Sequence, residues 1–347
     1  MIEIRTCESE IPEVARFTTD VWRQTFAGKR LTINWHEAYF DWQLFNDFIE
    51  RDYLLAAYDG STLAGTLFAE PFRLRLHDRE HDASMSSWLT VAPEYRRHDV
   101  GTKLVAEMRR RHLDRQAAFQ IGFGLIGTIG PEFWRSMPDV FSVRTLGFWC
   151  SLLDVGALRS SLFLSRFARS AMSLLRVLEK RPRHIAHEGI RPYCSADLPR
   201  CLVLANELGK GIDLAYVWNE RRLALQLDYK NVPRTLVYER NGRVEGFINY
   251  YPIECLGETI LKASMIDLFA FGSMSVSEQK KLLQASIAQM ATEGTAMALL
   301  LRIPCYPTAA LLSLGFIPLP NEFSVLCGWP QPGLNFEQVK SLYLHVR

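Results

Sequence analysis

The stretch LTVAPEYRRHDVGTKLV, Leu89–Val105, decides how the chain is read. It opens on apolar and β-branched residues, stops at Pro93, turns through the basic run Arg96-Arg97-His98, and then repeats apolar residues at Val100, Leu104 and Val105 with helical spacing. The pattern is strand, turn, helix. The first N–H groups of a helix have no intrahelical partner, and the helix dipole makes that end favourable for an anion such as phosphate. Three cationic side chains flank this corner, and Gly101 and Thr102 keep it small enough for close approach to the backbone. There is no G-x-x-x-x-G-K-[ST] run, which excludes a nucleotide-triphosphate loop.

Outward from this corner, the chain repeats itself. IRTCESEIPEVARF from Ile4 and IRPYCSADLPRCLVL from Ile190 each give a short strand, a polar cap and a helix start with proline in its first turn. AAYDGSTLAGTLFAEP (56–71) parallels VYERNGRVEGFINYYP (237–252), and Gly65 and Pro71 recur as Gly246 and Pro252 at one constant offset. SVRTLGFWCSLL (142–153) parallels ALLSLGFIPLP (310–320), read as a short helix stopping at glycine before a strand. Each half therefore reads strand, helix, helix, three strands, helix, strand, helix, strand. In the first half these include strands over 62–75 and 85–92, a helix over 100–115, a strand over 119–127, a helix near 133–146 and a last strand from Phe148. The second half supplies a strand over 263–271, a helix over 276–291, a strand over 296–304 and a helix ending at Leu314.

The 347 residues suit two domains, 1–155 and 187–347, joined by a basic segment, 156–186. Within the joint, 157–183 is arginine-rich with an apolar face at Leu158, Leu162, Leu174 and Leu178. It is read as a connecting helix packed on the domains, with peripheral contact to a membrane or a polyanion as its second reading. A net charge of +2 gives no nucleic-acid surface. No apolar run approaches a membrane span, and the charged start MIEIRTCESE is not a secretory signal. Seven scattered cysteines without a C-x-x-C pair fit buried thiols in a reducing cytoplasm, not disulfides or zinc. His77 and His81 fall in the charged stretch RLHDREHDAS, which reads as a solvated turn, not a metal site.

VAPEYRRHDVGTKL resembles the acyl-CoA-binding motif of the Gcn5-related N-acetyltransferase (GNAT) superfamily, V-x-P-x-[YF]-[RQ]-x-x-G-x-[GA] followed by a helix. Val91, Pro93, Tyr95, Arg96, Gly101 and Leu104 match. The strand order is also the superfamily's, and the resemblance covers the chain as two copies. The corresponding part of the second, DLFAFGSMSVSEQKKL, lacks the motif. The resemblance implies an α/β (α+β) fold of two tandem GNAT-type domains, each a mixed, mostly antiparallel central sheet flanked by helices. It implies acetyl-CoA as co-substrate, with no metal. The pyrophosphate would lie on backbone amides around Arg96, Arg97, His98, Asp99, Val100, Gly101 and Thr102, and the pantetheine arm along Leu89, Thr90 and Val91. Asp99 stands where the motif has its first glycine. An unscreened carboxylate about 6 Å from a phosphate charge repels it by roughly 3 kcal/mol at an effective dielectric near 20. Aspartate tolerates unusual turn dihedrals, and its alternative role is to cap the helix.

Amine acylation needs a base and usually an acid. The superfamily's acid is a tyrosine four residues before the glycine of the GF ending, a position held here by Val143. Candidate bases are Glu70, read as an exposed strand-end charge, and Asp82, with Ser86 acting through water. Trp88 reads as core. Trp35, Tyr39 and Trp42 share one helical face, suited to packing or to lining an acceptor pocket. The expected function is a cytoplasmic N-acetyltransferase that acylates a primary amine of a small molecule by direct attack in a ternary complex, the second half completing the cleft. A transferase of longer acyl chains working near a membrane and a non-catalytic ligand- or partner-binding protein are the rivals.

Overall fold

Proline in the first turn starts the leading helix of each half, and turns at Gly60 and Gly242, both at positive φ, join the first long hairpin of each. The computed structural model describes residues 2–46, 49–179 and 187–345. The first half runs β1 (Ile2–Thr6), α1 (Ile11–Phe26), β2 (Thr32–Asn34), α2 (Glu37–Phe40), β3 (Leu54–Asp59), β4 (Thr62–Leu76), β5 (Arg79–Val91), α3 (Val100–Asp114), β6 (Gln120–Leu125), α4 (Ile129–Arg135) and β7 (Val140–Leu152). Two short helices, α5 (Val155–Ser161) and α6 (Arg166–Ala171), lead away from it. The second half repeats the order: β8 (Ile190–Pro192), α7 (Leu198–Glu207), β9 (Leu214–Val217), α8 (Glu220–Leu227), β10 (Arg234–Arg240), β11 (Arg243–Leu256), β12 (Ile260–Phe271), α9 (Val276–Thr292), β13 (Met297–Leu301), α10 (Thr308–Ser313) and β14 (Ile317–Gly328). A last strand, β15 (Leu342–Tyr343), follows.

All strands join one mostly antiparallel sheet, whose main path is β1-β3-β4-β5-β6-β14-β7-β13-β12-β11-β10-β8. At its centre the halves exchange strands. The end of β14, Phe323–Gly328, pairs with β6 of the first half, while the end of β7, Phe148–Leu152, pairs with β13 of the second. Two further ladders cross the junction: β2 pairs with Glu254–Leu256 of β11, and β9 with Arg73–Leu76 of β4. The two cross-ladders are equivalent under the repeat, so the molecule has an internal pseudo-twofold. In the first half, α3 packs on one face of the sheet through Val100, Leu104, Val105 and Met108, against Leu55, Leu67 and Ala69. The aromatic residues of α1 and α2 pack on the other face with Phe68, Phe72 and Trp88.

Three expectations are corrected. The helix near 133–146 is α4, which ends at Arg135, followed by strand from Val140. TLGF is thus strand whereas SLGF ends a helix at Gly315, φ +77°, so this third element of the repeat matched unlike structures. The basic joint is not one helix. Extended residues interrupt it at Leu162, and tight 3₁₀ turns take over from Met172 to Leu178. The segment of the joint at 180–186 lies outside the described residues. Finally, β2 and β9 have no counterpart in the sequence pattern, because strands of three and four residues carry too few alternations to register.

Candidate functional site

The site begins with a break in the sheet. β5 pairs in parallel with β6 only over Ser84–Ser86 against Gln120–Gly122. Just beyond, β5 is bulged: Thr66 faces Thr90 and Phe68 faces Ser87, so Trp88 and Leu89 together oppose Leu67. Trp88 takes φ +53°, a costly conformation for a bulky residue. Two hydrogen bonds hold it there. Thr66 Oγ1 donates to the Trp88 carbonyl at 3.0 Å, and Trp22 Nε1 of α1 donates to Thr90 Oγ1 at 2.9 Å. The bulge turns the end of β5 away from β6, which continues alongside β14 to Leu125. Beyond Ser86 and Gly122 no ladder joins the two strands among the described residues, and the gap between Ser87–Val91 and Phe123–Leu125 is the slot, with the β5 edge there lacking a strand partner.

The slot leads to the start of α3, where Arg97 and Asp99 both take the left-handed conformation, φ +68° and +57°. These two reversals tighten the loop so that its amides and those of Val100, Gly101 and Thr102 gather at one end of the helix. A Cβ on Gly101 would come within 3.2 Å of the Phe133 ring of α4, so the small corner is required by packing as well. Asp99 tolerates the left-handed turn, but its side chain makes no capping hydrogen bond and is exposed, which corrects the helix-cap alternative. Arg96 does not face the loop. Its Nε donates to the Val91 carbonyl at 3.1 Å and its Nη2 to Thr25 Oγ1 at 2.7 Å, which ties the loop to α1. Arg97 and Lys103 are exposed cations around the corner, with the His98 ring exposed between them, and Lys103 lies outside the motif's own positions. Leu89, Thr90 and Val91 line the free edge, and Val100 contributes its amide while its side chain is buried under α3.

Glu70 is not at a strand end. It sits inside β4, 4 % exposed, on the face away from α3, with its Oε2 accepting from Arg222 Nη2 of α8 at 2.6 Å. Burial pushes its carboxyl up to about 8, against the opposing pull of Arg222. Arg222 also lies over the Phe72 ring. Around this pair stand Tyr39, Tyr216 and Tyr251, all buried, with Tyr39 packed against Trp88 and Tyr251 at 6.0 and 5.6 Å between ring centroids. A second buried pair lies nearby in the other half. His345 Nδ1 meets Asp267 Oδ1 at 3.0 Å, and Gln226 donates to the other carboxylate oxygen at 2.7 Å.

The other two catalytic candidates are not brought to this cluster. Asp82, its side chain 79 % exposed, lies at the far end of β5 and pairs with Arg73 at 3.3 Å. Five residues separate it from Ser87, about 17 Å of extended chain. Ser86 shares a face with Ser84, whose hydroxyl contacts His112 Nδ1 of α3 at 3.1 Å, so it points to the opposite side of the sheet from Glu70. Val143 lies on β7, so its alignment with a helix-borne tyrosine lapses, and α4 itself carries Phe133 and Trp134 but no tyrosine. Arg222 could not be foreseen: its partner is 152 residues away in the chain. Tyr39 was legible within the aromatic set.

A bulged strand splayed from its parallel neighbour, over the amide-rich start of a helix, defines the GNAT class of fold. Residues 4–136 match the family model of the acetyltransferase (GNAT) domain, and the chain is a GNAT-fold protein. No curated protein sequence matches it. Among solved structures it is similar to the N-myristoyltransferase of Saccharomyces cerevisiae with bound myristoyl-CoA, at a TM-score of 0.77 and 13 % identity over 94 % of this chain and 82 % of that one. A second structure of that enzyme with myristoyl-CoA gives 0.78 and 13 % over 99 % and 85 %. A Gcn5-related N-acetyltransferase from Anabaena variabilis gives 0.56 and 11 % over 94 % and 72 %. These likenesses show that the same fold extends across both halves.

Proposed function

We propose that the protein transfers an acyl group, acetyl in the first instance, from acyl-CoA to a primary amine of a small molecule, in the reducing cytoplasm that suits its seven free thiols. One observation carries the reading: the free edge of β5, bulged at Trp88, runs directly into the left-handed loop that opens α3. That edge suits pantetheine pairing and the loop suits pyrophosphate. The amine attacks the thioester carbonyl carbon, forming C–N while the carbonyl oxygen takes up charge beside the bulged amides. Collapse breaks C–S, and the departing thiolate takes a proton. Glu70 lies two residues along β4 from the position facing Ser87, about 7 Å, and a carboxyl near 8 suits accepting the ammonium proton through water. Beyond the bulge, Trp35, Tyr39, Phe40 and Trp88 pack ring on ring at 5.0–6.0 Å, which favours a short acyl group.

The test is a chain-length series of acetyl-, hexanoyl- and myristoyl-CoA, read by thermal shift and by release of coenzyme A with an amine panel. Acetyl-CoA should stabilise best and turn over; Glu70→Gln should keep the thermal shift and lose most of the turnover. A shift with myristoyl-CoA alone would replace the acetyl reading, and no shift with any would leave a non-catalytic binding protein.

The longer-chain reading has its own support in the joint between the halves. Phe167, Leu174 and Val177 are 86, 77 and 85 % exposed along a segment that also carries Arg169 and Arg176. Such a segment suits an anionic bilayer. It predicts co-sedimentation with phosphatidylserine vesicles at low salt, lost in Phe167→Ser/Val177→Ser. No described helix is long and apolar enough to cross a membrane.

A further inference from the structure

The exchange of strands creates a second concave site. Where β7 and β14 cross, a cavity of about 360 Å³ opens on the sheet, lined by both halves. Its polar wall is Arg144, Thr145, Arg302, Thr308, Asn321 and Lys340, and no carboxylate is among its lining residues. Three cations around one small cavity are notable in a chain of net charge +2. The carboxylate nearest the lining is that of Asp213, whose Oδ2 accepts from the Lys340 and Ser341 amides and the Ser341 hydroxyl, each at 2.8 Å, and so is held by the backbone of the C-terminal segment. Three cations therefore line the cavity against that one neighbouring carboxylate.

The polar groups are held in place. Arg302 Nη2 donates to Asn321 Oδ1 at 2.5 Å, Asn321 Nδ2 donates to Thr145 Oγ1 at 2.8 Å, and the Arg302 amide donates to the Gly147 carbonyl at 2.8 Å. This chain fixes one guanidinium with most of its donors still free, while Arg144 and Lys340 are exposed at the rim. A pre-oriented guanidinium, with two further cations in a one-sign cleft, matches a carboxylate or phosphate group. A volume near the lower bound of ligand pockets fits a small molecule and no polymer.

Position links the cavity to the acyl slot. Asn321 lies on β14, the strand beside β6, and the Ile126 amide just past the slot donates to the Glu322 carbonyl at 2.7 Å. Lys340 and Leu342 belong to the C-terminal segment, which packs Phe336 on Phe119 and Tyr343 on Trp218, and so reaches the ring cluster around Glu70 and Arg222. We infer that this cavity binds the anionic group of the acceptor, so that the amine acylated is a small zwitterion bearing a carboxylate or phosphate, not a polycation. The claim about the acceptor rests on the acyl-transfer reading; the anion site does not.

The experiment separates the two. Succinate and inorganic phosphate are each titrated by calorimetry into the full chain saturated with coenzyme A, and into Arg144→Gln and Lys340→Gln, rim positions with thermal stability as the check on folding. One-site binding of either anion, weakened about tenfold or more in each variant, supports the site; binding of succinate alone or phosphate alone names the group. Absence of binding, or binding unchanged in both variants, overturns it. Coenzyme A release is then compared for phenylalanine against phenethylamine and for phosphoethanolamine against ethanolamine. An advantage of tenfold or more in kcat/KM for the anionic member, carried by KM and lost in Arg144→Gln, supports the acceptor class, and preference for the neutral amines overturns it. Anion binding without any acyl transfer would refute the transferase and leave the anion site standing.

Discussion

At the scale of single residues, the proposed chemistry turns on two carboxylates that stand where a simple pattern would not put them. Asp99 occupies a left-handed turn position at the mouth of the slot, exposed and making no capping bond. Glycine there relieves backbone strain and removes a negative charge near the expected phosphates, so Asp99→Gly should tighten acetyl-CoA binding. Solvent screening cuts the unscreened repulsion to about 1 kcal/mol, or roughly fivefold in Kd by thermal-shift titration. Asp99→Val should instead lose about 1–2 kcal/mol of stability, because a β-branched residue resists that turn. Glu70 is the opposite case: its position was legible but its environment was not. The sequence pattern carries the strand to Arg75, and β4 does run to Leu76 in its hairpin with β5; what buries Glu70 is Arg222, from α8 of the other half. Long-range pairing of that kind leaves no local trace. Removing Arg222 takes that hydrogen-bond donor from a buried carboxyl, so Arg222→Met should cost about 1–3 kcal/mol in urea unfolding near neutral pH. The folded carboxyl is raised from its ordinary 4.5 to about 8, so the folded state holds the proton longer than the unfolded chain. Stability should therefore fall as pH rises from about 4.5 to 8, steeply in Arg222→Met and not at all in Glu70→Gln/Arg222→Met.

At the scale of elements, the motif from Leu89 to Val105 was legible because strand, turn and helix each left local signatures: β-branched alternation, a proline stop, a glycine corner. The bulge at Trp88 was not, since its cause is a pair of hydrogen bonds from Thr66 and Trp22, on other elements. The two LGF triplets show the limit most sharply. Gly315 ends α10 in a left-handed turn, whereas Gly147 sits in β7 where β14 crosses: a Cβ there would fall 2.5 Å from the Pro320 carbonyl oxygen and 3.0 Å from that of Leu319. One glycine serves a dihedral, the other a backbone contact, and sequence alone does not distinguish them. Gly147→Ala must push the β7 and β14 backbones apart, and about 1–3 kcal/mol of stability should be lost in urea unfolding. Gly315→Ala should cost about 1–2 kcal/mol through its dihedral alone. The joint between α3 and β5 has its own pH signature. His112, buried against Ser84, is pushed down to about 4 by desolvation. Its folded value lies below the unfolded 6.5, so the stability it supports is complete above pH 6.5 and is lost as pH falls toward 4. His112→Gln should flatten that acid limb and leave the alkaline limb set by Glu70 unchanged.

At the scale of the whole molecule, the two halves run through the same order of elements. Their mutual dependence comes from topology. β6 has its outer neighbour in residues 323–328, and β13 has its own in residues 148–152, so each half completes its sheet with a strand from the other. The short ladders β2–β11 and β4–β9, the Glu70–Arg222 pair and the bond from Trp42 Nε1 to the Leu225 carbonyl at 2.7 Å add contacts across the same junction. Splitting the chain between the halves would strip β6 of its partner and expose the aromatic face built by Trp42, Tyr39 and Tyr251, leaving an open edge of the kind that pairs with other chains. Residues 1–155 expressed alone should therefore aggregate, while co-expression with 187–347 should recover a soluble 1:1 complex in size-exclusion chromatography. The intact protein should unfold in one calorimetric transition, with van't Hoff and calorimetric enthalpies equal, since neither sheet half is complete without the other. Two resolved transitions, or a soluble folded 1–155, would mean that the exchanged strands contribute little to either core. The acyl slot could then be studied in the first half alone, and the anion cavity at the crossing would lose its structural reason to exist.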